Sequence, residues 1–554
     1  MLCFFSSGGQ KTCNDKAFIV RLPKSIRGLV FNQAVARLCE SAKWRLSIGT
    51  IGLALKNVSP KWGRTMKSTN ESSSQSIRRM RCDVLVVGGA LAGLSAAIAA
   101  RQGGADVLLL SEGQPGRSGS TLYANGYITS CPADQQDVLA EQILWTGGYL
   151  ANPDLVRVLV ERIGAANEQL QSWGLRMQPV AETQQPSGLQ MERVPRQPKG
   201  LAMGQVLAKQ AVYEGVNVHA PYSVITLLRH PQTGILGALA VDMTSQELVA
   251  IAAPQVILAT GGGARAFAHS DNPAGTTGDG FRLALEAGAE LVDIELINFN
   301  VPDVGVDSIL AAGPESIEDQ GGAHYFLGGI RIDESARTKV PGLLAAGEAT
   351  GGVFGAARLG GSALAECLVF GLVAGETAAQ QNVNRSVQNE LLEAELAQAT
   401  AVWLPSTTGK VLAIADQQAE IQNIAWKQVG FVKDAANLQA AVHDLEAKLA
   451  LIEQWRASSP AELVRLQKLR SILLTVLAAA AASLLREESR GNFWRSDYPR
   501  PDSLNALYNS ITCWADDQIR VTKQPLPATN VEGKAPIRVA PGCLRYDFSL
   551  GKHK

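Results

Sequence analysis

Short unbroken apolar runs alternate with helical spacing through the first two thirds of the chain, and longer helical patterns replace them afterwards. Cys82–Val87 is an apolar run closed by Gly88-Gly89, and a helical pattern from Ala92 to Arg101 follows at once. Ala105–Leu110 is a second apolar run. Strand, helix and strand, with both strands apolar throughout, predict a βαβ unit in a parallel sheet covered on both faces. Residues 151–175 and 200–214 have helical spacing, whereas Val216–His219, Ser223–Leu228 and Ile235–Val241 alternate and turn like a small antiparallel layer. Gln255–Thr260 is another buried strand, ending in Gly261-Gly262-Gly263. Asp279 is placed to cap a helix running through Ala289. From about residue 386 glycine thins out and helical patterns dominate, ending in a loop-rich tail after Pro525. No internal repeat is visible, and low complexity is confined to Ser72–Ser76.

A chain of 554 residues, 46% hydrophobic and 18% charged, has material for two or three domains with sizeable cores. The formal net charge is zero, which argues against a nucleic-acid partner. That balance hides an asymmetry: residues 1–81 carry 15 Lys/Arg against 3 Asp/Glu, and the rest carry 36 against 48. A basic, acid-poor leader before a complete strand reads as an organelle transit peptide, or as an over-extended start with Met66 or Met80 as the true beginning. The expected location is accordingly the cytoplasm, or an organelle matrix if the leader is a transit peptide. The eight cysteines include no C-x-x-C pair, which argues against a zinc or iron–sulfur site in this chain and fits a reducing compartment. The longest apolar stretch, Ser471 to Leu485, is shorter than the roughly 20 residues a membrane span needs and reads as a buried helix.

The chemistry starts at the first glycine loop, Gly88-Gly89-Ala90-Leu91-Ala92-Gly93. Gly88 permits the tight turn, and Gly93 permits close helix–strand packing; Ala90 stands where the dinucleotide fingerprint prefers glycine. The acidic residue expected after the second strand is Glu112, with Ser111 as the alternative contact to an adenosine ribose. Arg117-Ser118-Gly119-Ser120-Thr121 offers small and hydroxylated side chains to pass along a pyrophosphate. Thr260-Gly261 ends a strand with little side chain in the way of a cofactor. A second glycine-rich block, Gly342 to Gly371, returns about 230 residues after the first. The two blocks together predict FAD and a redox enzyme.

The ordered segments GRSGST, ILATGGG, TTGDGFRLALEAGAELVDIE, HYFLGGIRID, GLLAAGEATGG, RLGGSALAE and REESRGNFWRSDYP resemble the flavoprotein subunits of fumarate reductase and succinate dehydrogenase, together with L-aspartate oxidase. The resemblance covers about residues 82–500. It implies an α/β fold: a two-lobed, Rossmann-like FAD-binding domain, a capping segment and a C-terminal helical domain. The corresponding boundaries are 1–80 for the basic extension, 81–300 and 324–385 for the FAD-binding domain, 301–323 for a remnant of the cap, and 386–554 for the helical domain. By the same resemblance His324 and Arg358 bind a substrate carboxylate, a task suited to a planar guanidinium fork and an imidazole donor. Glu348 then faces the ribityl or ribose, Asp279 joins the cofactor contacts, and Ser362 and Leu364 open a helix whose N-terminus faces the flavin and favours its anionic reduced form.

Three departures qualify that likeness. The family's flavin-linking histidine has Ser120 in its place, so FAD is expected to be noncovalent. The segment where the family has His-Pro-Thr reads Asn300-Val301-Pro302. Only 23 residues separate Asn300 from His324, where the family carries much of its cap and its proton-transferring arginine. Phe354 and Ala357 also replace a His and an Asn of the usual block. Arg265, Arg331 and Tyr325 are the candidates to stand in for that arginine in proton transfer. The expected activity is hydride transfer between a small dicarboxylate or amino-dicarboxylate and FAD. The alternatives are a different substrate, as in adenylylsulfate reductase, or an electron-transfer subunit beside an iron–sulfur partner.

Overall fold

The computed structural model describes residues 77–180, 190–195, 199–300, 322–382, 387–403, 413–502 and 507–526, all within one unit spanning Ser74–Lys554. The basic extension up to residue 76, and residues 301–321 of the expected cap remnant, lie outside the described residues.

The elements that position the site are, in chain order, β1 (Val84–Val87), α1 (Leu91–Gln102), β2 (Val107–Leu110), β3 (Asn217–His219), β4 (Tyr222–His230), β5 (Gly234–Asp242), β6 (Glu247–Ala252), β7 (Gln255–Leu258), α2 (Asp279–Glu286), β8 (Ile297–Asn300), β9 (Gly322–Phe326), β10 (Leu343–Ala345), α3 (Ser362–Asn382), α4 (Pro460–Leu485), β11 (Tyr508–Ala515) and β12 (Gln518–Pro525). The central sheet has the order β10–β7–β1–β2–β3, and every pairing in it is parallel. Every side chain of β1, β2 and β7 is buried, as apolar runs between two covering layers require. Because the strands are parallel, the loops after β1, β2, β7 and β10 all emerge at one edge. In open α/β sheets that edge is where ligands bind.

The alternation of Val216–His219 predicts a place in the antiparallel layer, but β3 instead adds a fifth parallel strand beside β2. The layer itself is formed by β4, β5 and a strand that the residue pattern did not indicate, β6, with Arg78–Arg81 pairing parallel to β6. Among the described residues, the C-terminal region holds four long helices and also a hairpin, β11–β12, that joins the short strands Leu291–Val292 and Gly329–Ile330 in a four-stranded sheet.

The apolar stretch Ser471–Leu485 is the second half of α4, whose 26 residues start at a Ser459 cap and Pro460. Both α3 and α4 are long and apolar enough to cross a membrane, yet 83% and 78% of their apolar windows are buried inside the fold. They act here as core helices, α3 packed along α1 and α4 beside α2. Where α4 ends, a buried ionic network joins it to the sheet. Arg486 donates to Glu295 (2.7 Å), Asp293 (3.2 Å) and Glu488 (3.3 Å), while Arg490 donates to both oxygens of Glu488 and to the Gly148 carbonyl. The REESRG segment is thereby a structural lock.

Candidate functional site

The first loop is built as the glycine spacing requires. Gly88 sits at φ +122°, and a methyl group there would overlap the Ala259 carbonyl; one at Gly93 would overlap the Gly88 carbonyl. Ala90 is the N-cap of α1 and offers no side-chain cap; Thr121 covers the opening turn, its Oγ1 accepting from the Leu91 amide at 3.4 Å. Across the sheet edge, Gly261 sits at φ +78° with open space around it. The buried hydroxyls of Thr260 and Thr277 have no hydrogen-bond partner among the described residues. A helix N-terminus, an open glycine turn and orphaned buried hydroxyls on one rim fit a pyrophosphate-bearing dinucleotide.

The remaining predicted contacts surround that rim. Ser111 packs its hydroxyl against Gly89, and Glu112 follows it, accepting from Ser223 Oγ at 2.7 Å. Ser118 spends its hydroxyl on the Gln114 carbonyl, and Arg117 is exposed. Asp279 does not cap α2: Gly278, at φ +81°, is the N-cap, the helix ends at Glu286, and the Asp279 carboxylate goes to Lys468 at 3.0 Å. A left-handed turn supplied by glycine makes a side-chain cap unnecessary. Ser362 is buried with its hydroxyl 3.4 Å from Thr129 Oγ1, and Leu364 is buried in the first turn of α3.

His324 owes its placement to a register slip. In the antiparallel pair β8–β9, Asn298 opposes Tyr325 and Phe299 opposes Ala323, leaving His324 as the extra residue. A bulge of this kind turns one side chain out of the ladder. The imidazole Nδ1 lies 2.8 Å from Asp271 Oδ2, and Asn300 donates to the same oxygen at 2.5 Å. Asn272 donates to the His324 carbonyl and accepts from Ser120 Oγ at 2.8 Å, so Ser120 is tied to the histidine strand by one intermediate.

Arg358 stacks its guanidinium over the Tyr325 ring at 4.5 Å and donates to the Leu359 carbonyl at 3.2 Å; its buried Nε has no partner among the described residues. Beneath it lies a buried acidic cluster. Tyr325 donates to Glu366 Oε2 at 2.6 Å, and Glu348 accepts from the Phe326 amide at 3.2 Å while packing against Gly262. Burial pushes Glu348 up to about 7, against the pull of the Phe326 amide, His324 and Arg358. Burial likewise pushes Glu366 up to about 7, with Glu348 reinforcing it and Tyr325 and Arg358 opposing. Burial holds the Tyr325 phenol well above its usual range, which keeps it a neutral donor. Of the other proton-transfer stand-ins, Arg331 is committed to Glu290 at 3.0 Å, and the buried Nε of Arg265 has no partner among the described residues.

A measurable pH effect follows. A carboxyl whose folded pKa is raised holds a proton that the unfolded chain has already lost, so its contribution to stability falls as pH rises from about 4.5 through about 7. Glu366→Gln keeps the group neutral throughout. Between pH 5 and pH 8 the variant is expected to lose on the order of 2 kcal/mol less than the wild type. Denaturant midpoints at the two pH values decide it, and parallel curves would refute the assignment.

Asp271, Asn272, Thr277, Glu366 and Lys468 were not reached from sequence. Glu366 and Thr277 carry a local signal, lying inside the RLGGSALAE and TTGDGFRLALEAGAELVDIE segments.

Fold and site together define a FAD-dependent oxidoreductase. A family model described as "FAD binding domain" matches residues 83–308 and 316–364, and one described as "Fumarate reductase flavoprotein C-term" matches residues 418–542. The chain belongs to the superfamily of fumarate reductase and succinate dehydrogenase flavoproteins and L-aspartate oxidase. A component of the CoM/CoB fumarate reductase from Methanothermobacter marburgensis is 26% identical over 527 positions, covering 76% of this chain and 95% of the relative. An L-aspartate oxidase from Synechocystis is 24% identical, covering 75% and 94%. Among solved structures, FrdA of Escherichia coli quinol fumarate reductase superposes with a TM-score of 0.75 at 21% identity, covering 83% of this chain and 99% of that one. Adenylylsulfate reductase of Archaeoglobus fulgidus shares the fold with a TM-score of 0.66 at 17% identity, covering 82% and 97%.

Proposed function

We propose that the protein oxidises or reduces a small dicarboxylate or amino-dicarboxylate, with FAD held noncovalently. The observation that carries this reading is Arg358: a guanidinium stacked on Tyr325 whose buried Nε has no partner among the described residues, near the same buried Glu348 that His324 also influences. An anion with two oxygens satisfies such a fork. Noncovalent binding is supported by Ser120, whose hydroxyl is committed to Asn272.

The residues divide the work by geometry. The α1 N-terminus and the Gly261 turn hold the pyrophosphate side, and Glu348 lies by the Gly262 turn. When bound, FAD supplies the two-electron chemistry, exchanging hydride with a substrate carbon. Arg358 binds one substrate carboxylate and fixes its orientation. Asp271 accepts from His324 Nδ1 and so leaves Nε2 toward the substrate; a proton carried there is donated to a carboxylate oxygen. Asn300 and Asn272 hold Asp271 and the histidine backbone in place.

For the electron acceptor we favour an iron–sulfur partner protein. Two relatives, the Methanothermobacter component and a fumarate reductase flavoprotein from Haemophilus influenzae, are each named as one subunit of a larger enzyme, which supports a partner in general.

Anaerobic bleaching of the visible flavin band by succinate, L-aspartate and related dicarboxylates tests the substrate reading. Bleaching by one member of the panel is expected. A band unchanged by every member would overturn the reading and favour a larger substrate of the adenylylsulfate type, or reduction by a protein.

A further inference from the structure

Lys468 lies in the helical region, 356 residues from Glu112 along the chain, yet its Nζ is 2.8 Å from Glu112 Oε2 and 3.0 Å from Asp279 Oδ2. Those carboxylates come from different cofactor loops, one after β2 and one at the start of α2. α4 presents Lys468, Ser471 and Thr475 along one helical face: Ser471 accepts from Arg282 of α2, and Thr475 packs against Gly263 and Gly278. A polar stripe on an otherwise apolar helix thus runs along the cofactor rim.

We propose that Lys468 is a cofactor-positioning residue that clamps Glu112 and Asp279 and thereby sets the affinity for the adenosine half of FAD. This rests on the reading of Glu112 as the ribose-facing carboxylate. Two carboxylates beside a doubly anionic pyrophosphate repel it and each other unless a cation lies between them. Lys468 is that cation, with its side chain 25% exposed and those of Glu112 and Asp279 39% and 18% exposed. Ser223 fixes Oε1 of Glu112 while Lys468 fixes Oε2. The carboxylate plane is therefore set before the ligand arrives, and each oxygen keeps a lone pair for a ribose hydroxyl. Burial raises Asp279, but Lys468 and Arg282 outweigh it and hold the carboxyl below its ordinary value, so it stays charged.

The test is the FAD dissociation constant of the full-length holoprotein, read from flavin fluorescence on dilution, for Lys468→Met, Lys468→Arg, Glu112→Gln and the Met/Gln double variant. Lys468→Met is expected to raise the constant by roughly 10-fold or more, and Lys468→Arg to keep it within about threefold. The double variant is expected to bind no more weakly than Lys468→Met alone, because the lysine acts through the carboxylate. If Glu112→Gln weakens FAD and Lys468→Met does not, the clamp is overturned and the ribose reading stands. If Glu112→Gln has no effect, the ribose reading falls and the clamp with it. Fully additive losses would overturn the clamp by showing that Lys468 acts only through the fold. Should the methionine variant fail to fold, Lys468→Gln, which also removes the charge, carries the comparison with the same roughly 10-fold loss expected.

Discussion

Replacing Arg486 with methionine is expected to lower the unfolding free energy by about 3–5 kcal/mol, the largest single effect on stability predicted for this molecule. The guanidinium is fully buried and faces Asp293, Glu295 and Glu488, all equally buried. Burial and Glu295 already push Asp293 up to about 7 against the pull of Arg486. Without the arginine, three carboxylates share a dry site whose one remaining direct cation, among the described residues, is Arg490 on Glu488. The carboxyls must then take up protons or the region must open, so the loss should be smaller at pH 5 than at pH 8. Adding Glu295→Gln to Arg486→Met should recover part of the deficit. Denaturant melts at both pH values measure this, and a loss under about 1 kcal/mol would show that the network contributes little.

Arg358→Met is expected to leave the FAD spectrum intact while slowing substrate-driven bleaching by about 100-fold or more. Methionine preserves the stem that covers the Tyr325 ring but removes the fork. Arg358→Lys should recover only part of the rate, since a point charge cannot match a carboxylate at two oxygens. Stopped-flow reduction under anaerobic conditions reads both. Unchanged bleaching in the methionine variant would remove Arg358 from the site.

The parts of the fold that were legible rest on local rules. Val84–Val87, Gly88 and the helix after it are readable because a buried parallel strand is apolar throughout and the turn demands glycine. Asn217–His219 reads as part of the antiparallel layer because three alternating residues carry no information about which sheet they join. The hairpin Tyr508–Pro525 falls where helical patterns are expected, and its last strand, Gln518–Pro525, is largely exposed, so no buried apolar run marks it. Arg358 and His324 lie in motifs readable from the residues, but the bulge that aims His324 depends on its partner strand. Asp279 reads as a cap because the left-handed Gly278 is invisible in a residue string. Lys468 carries no local signal, since its carboxylates lie 189 and 356 residues upstream.

The order of the central sheet has a consequence for synthesis. β1 finds β2 within a few tens of residues, but its other neighbour, β7, is not made until residues 255–258, and β10 closes the edge only at 343–345. At about 5–20 residues per second, roughly 10–50 s pass between the first glycine loop and the last strand of the sheet. Through that interval the nascent chain carries a nucleotide cradle missing one side: Val84–Val87 is the open edge until β7 is made, and β7 is the open edge until β10 is made. A nascent chain with such an edge is a natural client for a chaperone at the ribosome exit. Cofactor supply can then act only late, once the ribosome has passed the second glycine block.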